Sequence, residues 1–248
     1  MTNSINLIDS LEVYVLNNPD EVKPHWVSHF IVPTANELLI KIKNKNGNSG
    51  FGMATSYTDI SPIIKPFSNG LKDFIIGEDP FCPEKIYKKI FELTDRRISS
   101  EKGWSKESLI RISAALDIAC WDLVGKSLNI PLYKLFGGYR NKVPVYVTCG
   151  YYQEGKSESE IREELKKLIE IGHQSFKVKV GGLSIKDDAK RLEIIRDEIG
   201  QERDLMIDVN RAWNLKTAIE GVKEFERFKP TWIEEPLRWE DDRRTLKL

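Results

Sequence analysis

The stretches 175–179 (SFKVK), 204–210 (DLMIDVN) and 231–236 (TWIEEP) decide the fold of this chain. Each closes an apolar, strand-like run with charged or amide side chains. The three recur at intervals of roughly 30 residues, which is about one strand–helix unit of a parallel barrel. We therefore expect successive parallel strands that bring two lysines and two acidic side chains to the edge where such barrels carry their chemistry.

Strand and helix patterns alternate around these stretches. The strands are predicted at 143–148, 175–180, 204–209 and 231–234, and the helices at 157–171, 185–199 and 215–228. Strands that alternate with helices indicate parallel βαβ units. The pattern stops after the fourth strand, so we expect an incomplete TIM-type barrel of about the first four strands. Its last strand would have an unpaired edge, which further chain or another polypeptide would cover.

The first half of the chain places strands before helices. A strand is predicted at 5–16, and a hairpin with strands at 37–43 and 50–55 flanks a polar stretch that contains Asn-Gly. Helices are predicted at 61–75, 83–98 and 105–127, the last with Ser105 at its start and Glu107 in its first turn. This order is typical of an α+β domain, which we place at residues 1–130.

The composition excludes several functional classes. Lys plus Arg and Asp plus Glu are both 38, which argues against nucleic acid or an anionic membrane as a partner. No window approaches the roughly 18 apolar residues of a membrane span, and the N-terminus lacks a signal-peptide pattern. We expect a cytosolic protein whose three cysteines, Cys82, Cys120 and Cys149, are reduced and buried.

Two lysines on the second barrel strand are candidate catalytic groups. Lys177 and Lys179 are two residues apart, so both side chains point to the same face of the strand. Mutual repulsion and desolvation lower the pKa of confined lysines, and such a lysine can act as a general base near neutral pH. The alternative interpretation is a pair of lysines on an exposed edge strand.

Oxygen donors end the next two strands. Asp208 and Asn210 share a face at the end of the third strand, and Glu234 ends the fourth. Carboxylate and amide oxygens suit Mg²⁺. The alternative for Asp-x-Asn is a turn or a helix cap, but its phase with the lysines favours a metal site. Glu235 would point away from Glu234 and support the turn.

Several aromatic and histidine residues have less specific interpretations. His25, Trp26 and His29 lie in a polar segment between strands, where they form either a lid over the site or a surface loop. Trp213 and Trp232 are expected to be packing residues.

The motifs together resemble one known family. Residues 114–126 (AALDIACWDLVGK) and 131–138 (PLYKLFGG), with the Lys-x-Lys, Asp-x-Asn and Glu-Glu-Pro segments, resemble the mandelate racemase/muconate lactonizing enzyme family of the enolase superfamily. The resemblance covers the whole chain. It implies an N-terminal capping domain at 1–130, followed at 131–248 by a partial modified TIM barrel with half of the active site.

The resemblance also implies a chemistry. In this family a carboxylate substrate bound to Mg²⁺ loses its α-proton to a base. By position, Lys179 would be that base, and Lys177 would lower its pKa and neutralise the substrate carboxylate. Asp208 and Glu234 would be two of three metal ligands, and Asn210 would hold a substrate oxygen.

The implied substrate is a small carboxylate, most specifically a sugar acid. Dehydration of an aldonate or aldarate to a 2-keto-3-deoxy acid is the leading reaction, and racemisation or epimerisation is the nearest variant. The third metal ligand, expected near residue 260 by the roughly 30-residue spacing, and a second base are absent from the 248 residues, so this chain alone is expected to have little or no activity. A truncated, non-catalytic paralogue that binds a partner subunit is the other alternative. A homo-oligomer is compatible with the resemblance.

Overall fold

The computed structural model of the chain describes residues 6–17, 24–32, 36–57 and 59–241. The chain separates into two units, one formed by residues 1–22 and 34–142 and the other by residues 23–33 and 143–248. The short segment 23–33 therefore belongs with the second half of the chain, although the residues on both sides of it along the sequence belong with the first.

The elements in the described ranges are numbered in chain order. The strands are β1 (Ile8–Asn17), β2 (His25–Trp26), β3 (Ile31–Val32), β4 (Asn36–Asn44), β5 (Ser49–Ser56), β6 (Val147–Cys149), β7 (Ser175–Lys179), β8 (Asp204–Asp208) and β9 (Trp232–Glu234). The helices are α1 (Ser61–Ser68), α2 (Pro83–Glu92), α3 (Arg97–Lys102), α4 (Lys106–Leu128), α5 (Leu132–Leu135), α6 (Glu158–Ile171), α7 (Ile185–Ile199) and α8 (Leu215–Phe225).

The first unit is an antiparallel sheet packed against helices. Its strand order is β1–β4–β5, and the predicted hairpin is the β4–β5 pair. The inward side chains Leu38, Ile40 and Ile42 of β4 are fully buried and belong to the same core as the apolar side of α4. At Gly52 of β5 an added Cβ would lie 1.8 Å from the carbonyl oxygen of Ala115 in α4, so the helix sits against the strand backbone. The α+β prediction is confirmed for this unit.

Two predicted helices in the first unit are interrupted. The pattern at 61–75 is divided between α1 and a 3₁₀ turn at Leu71–Phe74, because Gly70 adopts φ +94° after the helix ends. The pattern at 83–98 is divided because Arg96 is extended, with φ −95° and ψ 147°. The third prediction is confirmed, since the side chain of Ser105 accepts a hydrogen bond from the Ser108 N–H and caps α4.

In its described residues, the second unit contains a sheet of four parallel strands in the order β6–β7–β8–β9, connected by helices α6, α7 and α8. Side chains of Ser157, Ser184 and Asn214 cap the starts of these three helices. The core lies between sheet and helices and includes Phe176 and Val178 of β7. The first strand is shorter than predicted and begins at Val147. The expected half of a TIM-type barrel is confirmed.

Two further expectations concern the cysteines and the helices. Cys120 and Cys149 are buried free thiols, but Cys82, the residue just before α2, is exposed. The expectation of three buried cysteines was therefore wrong for Cys82. Among the described residues, no helix has both the length and the apolar character needed to cross a bilayer.

Candidate active site

The ends of three neighbouring strands bring the predicted site residues together. In the parallel ladders Lys179 pairs with Asp208, and Asp208 pairs with Glu234. Parallel neighbours in register point their side chains to the same face of the sheet. One edge of the sheet therefore holds a row of Lys, Asp and Glu, with Lys177 on the same face of β7.

The four charged groups form one ion-paired cluster. Lys179 Nζ donates to Asp208 Oδ2 at 2.7 Å, and Lys177 Nζ lies 3.5 Å from the same oxygen. Lys177 also donates to both carboxylate oxygens of Glu234, at 2.9 and 3.1 Å. Asp208 is 1% exposed and both lysines are less than 9% exposed. Two cations and two anions thus neutralise each other, and all but Glu234, whose side chain is 34% exposed, are shielded from water.

The charge state of Lys177 differs from the expectation for a lysine beside another lysine. Burial lowers the pKa of Lys177, but the hydrogen bond to Glu234 and the charges of Asp208 and Glu234 outweigh burial, so the pKa is raised above its ordinary value. The expected lowering was therefore wrong for Lys177, because its carboxylate partners raise its pKa more than burial lowers it.

The turn after β8 holds an amide oxygen with no partner. Asp208 Oδ1 accepts the backbone N–H of Asn210 at 2.9 Å, and Asn210 adopts φ +49°. The side-chain Oδ1 of Asn210 is buried and has no hydrogen-bond partner. A buried acceptor without a partner carries a desolvation cost, which a bound donor or cation would remove.

Glu235 contacts the turn that follows β8. Its carbonyl oxygen accepts the backbone N–H of Arg211 at 2.7 Å, and its carboxylate lies 3.2 Å from Arg211 Nε. Both residues have positive φ angles, +44° and +64°. Glu235 therefore ties the turn after β9 to the turn after β8 and fixes the edge that carries Asp208 and Glu234.

The donor set fits a hard divalent cation in its chemistry. Asp208 and Glu234 provide carboxylate oxygens on adjacent strands, and the unpartnered amide oxygen of Asn210 belongs to the turn that follows Asp208. Mg²⁺ takes oxygen ligands of this kind and keeps several waters. Within the described part of the chain, no group of three His, Cys, Asp or Glu side chains is placed to hold a metal. The residues present would provide part of a coordination shell.

Aromatic side chains lie beside the two lysines, and two of them, Tyr146 and Tyr151, were not among the residues predicted from the sequence. The rings of Tyr146 and Tyr151 lie 5.3 Å from Lys177 Nζ and 5.8 Å from Lys179 Nζ, within cation–π range. Trp232 Nε1 lies 3.4 Å from Glu234 Oε2, and Trp232 is 40% exposed. The interpretation of Trp232 as a packing residue was therefore wrong. Its spacing of two from Glu234 was the signal that could have placed it on this face.

The segment with His25, Trp26 and His29 forms a small hairpin, β2–β3, within the second unit. Trp26 stacks on Tyr152 with ring centroids 5.9 Å apart, and the His25 ring meets the Tyr151 ring edge-on at 4.7 Å. The segment is therefore attached beside the ends of β6 and β7. Trp213, by contrast, is buried in the core of the second unit, as predicted.

Sequence comparison identifies two matching protein families. Residues 10–137 match the family described as mandelate racemase / muconate lactonizing enzyme, N-terminal domain. Residues 160–248 match the family described as enolase C-terminal domain-like.

Curated relatives include enzymes of two reaction types. The chain is 29% identical over 201 residues to an arabinonate dehydratase of Saccharolobus solfataricus, and the match covers 81% of this chain and 52% of that protein. It is 33% identical over 223 residues to an L-Ala-D/L-Glu epimerase of Clostridium acetobutylicum, with 87% and 58% covered. The chain thus spans about half the length of the curated relatives it matches.

Solved structures show the same likeness. An L-talarate/galactarate dehydratase from Salmonella typhimurium LT2, liganded with Mg and L-lyxarohydroxamate, superposes with a TM-score of 0.78 at 26% identity, covering 94% of this chain and 59% of that one. A racemase from Streptomyces coelicolor A3(2) with bound magnesium gives a TM-score of 0.81 at 26% identity, covering 94% and 63%.

Proposed function

Since the chain belongs to the mandelate racemase/muconate lactonizing enzyme family of the enolase superfamily, we propose that it carries part of an active site for abstracting the proton α to a carboxylate, with Mg²⁺ as cofactor. The observation that supports this most directly is the ion-paired cluster of Lys177, Lys179, Asp208 and Glu234 at one strand edge. In this proposal residues 1–130 act as the capping domain and residues 131–248 carry half of the site.

Each side chain of the cluster has a role in the proposal. Lys179 is the base that takes the α-proton at Nζ. Lys177 balances the negative charge of the substrate carboxylate. Asp208 and Glu234 hold the metal, which supplies electrostatic stabilisation of the charge that develops on the substrate carboxylate. The unpartnered Oδ1 of Asn210 accepts a hydrogen bond from a substrate hydroxyl.

The lysine base must first lose its present counter-ion. Lys177 and Lys179 share Asp208 Oδ2, and a carboxylate partner favours the charged form of a lysine. When that oxygen is withdrawn, the two ammonium groups face each other in a poorly hydrated site, and deprotonation of one relieves the repulsion. The same groups can thus be an ion-paired cluster in one state and a base with a cationic neighbour in another.

The proposed reaction is dehydration of a sugar acid, an aldonate or an aldarate. Lys179 removes the proton at C2, and the C3 hydroxyl leaves as water after taking up a proton. The enol that remains tautomerises to a 2-keto-3-deoxy acid. Several relatives that are sugar-acid dehydratases support this choice. The free thiols Cys82, Cys120 and Cys149 fit a reducing compartment, so the proposal places the protein in the cytosol.

Racemisation or epimerisation is the second candidate function. It shares the first proton transfer and differs in how the intermediate is reprotonated. The chain is 33% identical to the L-Ala-D/L-Glu epimerase, a value at least as high as its identity to the dehydratases named above. This identity supports an epimerase function as the second candidate. In that case the substrate would be an amino-acid derivative rather than a sugar acid.

Deuterium exchange into substrate tests the shared first step without requiring turnover. The 248-residue chain and the natural protein from its source are incubated in D₂O with Mg²⁺ and a panel of aldonates, aldarates and dipeptides. Proton NMR then follows loss of the α-proton signal, and a colorimetric assay follows 2-keto acid. The expected result is Mg²⁺-dependent α-proton exchange for one sugar acid in at least one of the two protein forms.

Matched lysine variants locate the exchange. Lys179→Met should abolish it, whereas Lys167→Met, which changes an exposed lysine of α6, should not. Absence of exchange with every substrate in both protein forms would overturn the proposal, and exchange with dipeptides but not with sugar acids would favour the epimerase alternative.

A further inference from the structure

Three side chains behind the lysine strand form a connected polar cluster, which we call the bracket: Tyr152 and Asp188, which are buried, and Arg191, whose side chain is 13% exposed. The carboxylate of Asp188 is fully buried. Its Oδ1 accepts hydrogen bonds from the Tyr152 hydroxyl at 2.6 Å and from Arg191 Nη1 at 3.0 Å. Its Oδ2 accepts the backbone N–H of Gly181 at 2.7 Å. Both oxygens of this buried carboxylate therefore have partners, as a buried charge requires.

The bracket holds the end of the strand that carries Lys179. Arg191 Nη1 donates to the carbonyl oxygen of Lys179 at 3.1 Å, and Arg191 Nη2 donates to the carbonyl oxygen of Gly150 at 2.7 Å. One guanidinium group thus connects the ends of β7 and β6. The fork of a guanidinium group matches two acceptors in a way that a lysine ammonium cannot.

The turn after Lys179 fits closely against the bracket. The N–H of Gly182 donates to the Tyr152 hydroxyl at 3.1 Å. A Cβ added at Gly182 would lie 2.6 Å from the Tyr152 ring, so this position has no room for a side chain.

The same bracket anchors the β2–β3 hairpin. Trp26 and Tyr152 exchange backbone hydrogen bonds at 2.9 and 3.2 Å, and their rings are nearly parallel, 12° apart. The guanidinium of Arg191 lies 4.0 Å from the centroid of the Tyr152 ring. Ser28 Oγ donates to the carbonyl oxygen of Val180 at 2.6 Å, one residue after Lys179. Hairpin and lysine strand are therefore held by shared groups.

We propose that Tyr152, Asp188 and Arg191 are positioning residues that join docking of the β2–β3 hairpin to placement of Lys179 in one cooperative unit. Release of the hairpin removes partners of Tyr152 and Val180, which loosens the turn at Gly181 and the carbonyl contact at Lys179. The importance of Lys179 placement rests on the proposed function, but the coupling itself is measurable without catalysis.

Native-state hydrogen exchange of the unmodified 248-residue chain tests the coupling. The amides of Trp26 and Tyr152 report the hairpin contact, and those of Gly181 and Gly182 report the turn. One cooperative unit should give these amides protection factors within about threefold of each other and the same denaturant dependence. Hairpin amides that exchange more than about a hundredfold faster than the turn amides would overturn the proposal, because the hairpin would then open alone.

Arg191→Lys tests the positioning role, with Arg196→Lys as its matched control. Arg196 is on the same helix and is buried, but it donates to Phe228, Gly200 and Arg203 carbonyls, away from the bracket. Arg191→Lys should lower the protection of hairpin and turn amides together by roughly tenfold to a hundredfold. Arg196→Lys should change the protection of those amides only as much as it changes the protection of other amides in the second unit of the fold.

Mass spectrometry can measure the acylation rates of Lys179 and Lys177 in the same molecule. The ratio of the Lys179 rate to the Lys177 rate distinguishes a positioning role from general destabilisation. Arg191→Lys should raise this ratio, and Arg196→Lys should leave it unchanged. An unchanged ratio in both variants would overturn the positioning role. If α-proton exchange is absent while the hairpin and turn still open together, the proposed function fails and the coupling stands. If α-proton exchange is present while the hairpin opens without the turn, the proposed function stands and the coupling is wrong.

Discussion

Lys179 and Asp208 are direct partners in the parallel ladder between β7 and β8, and Lys179 Nζ donates to Asp208 Oδ2 at 2.7 Å. The pair lies on the face of the sheet that also carries Lys177 and Glu234. Both side chains are shielded from water, so removing either charge alone leaves the other one buried without its partner, which is destabilising.

Removing one charge of this pair should destabilise the second unit. Asp208→Asn leaves Lys179 buried without its counter-ion, and we expect a loss of about 3 kcal/mol in the free energy of unfolding measured in urea. Replacing both partners, Lys179→Met with Asp208→Leu, should recover most of that loss, because no uncompensated charge remains. As a control, Glu12→Gln changes a surface pair with Lys41 and should have no measurable effect. Equal stability of Asp208→Asn and the unmodified chain would contradict the argument.

The lysines should compete with Mg²⁺ for the carboxylates. Lys177→Met or Lys179→Met removes a positive charge that neutralises Asp208 and Glu234. Each variant should therefore bind Mg²⁺ more tightly than the unmodified chain in isothermal titration calorimetry, by Coulomb's law. Lys167→Met, at an exposed position, should bind as the unmodified chain does. Weaker binding in both site variants would mean that the lysines hold the site open rather than compete for it.

Asn210 should matter for substrate and not for stability. Its Oδ1 has no partner, so removing the side chain deletes an unsatisfied buried acceptor. Its φ of +49° suits glycine. Asn210→Gly should leave the free energy of unfolding unchanged or slightly raised. The substrate concentration that gives half-maximal α-proton exchange should increase. A strongly destabilised Asn210→Gly variant would show instead that the side chain has a structural partner in solution.

The cysteines should differ in reactivity. Burial raises the pKa of Cys120 and of Cys149 to about 12, so both stay protonated thiols at neutral pH, while Cys82 is exposed. A disulfide reagent such as Ellman's reagent should titrate one thiol quickly in the native chain and three after denaturation. Cys82→Ser should remove the fast phase, whereas rapid modification of three thiols under native conditions would contradict the packing described.

Acid should weaken the first unit through Glu78. Hydrogen bonding by Lys89, and to a smaller extent by Lys85, lowers the pKa of Glu78 below its ordinary value of 4.5 even though burial opposes the shift. A carboxyl whose pKa is lowered by folding contributes stability above pH 4.5, and that contribution is lost as the pH falls through the folded value. The free energy of unfolding should thus decrease below about pH 4.5. The slope should be shallower in Glu78→Gln, and an identical slope would exclude this contribution.

Several features followed from the sequence because they depend on local patterns. The two-residue spacing of Lys177 and Lys179 was enough to place both on one face of a strand. The regular interval between strand ends was enough to align Asp208 and Glu234 beside them. Capping serines set the starts of α4 and α6 in the same way.

The tertiary structure alone decided which groups meet across the sequence. The raised pKa of Lys177 depends on Glu234, 57 residues away, and the attachment of Trp26 to Tyr152 depends on how a distant segment packs. The bracket of Tyr152, Asp188 and Arg191 has no sequence signature, because its members are joined only when α7 lies against the strand ends. Periodicity fixes the face on which a side chain lies, whereas partners, burial and charge state arise from contacts between elements.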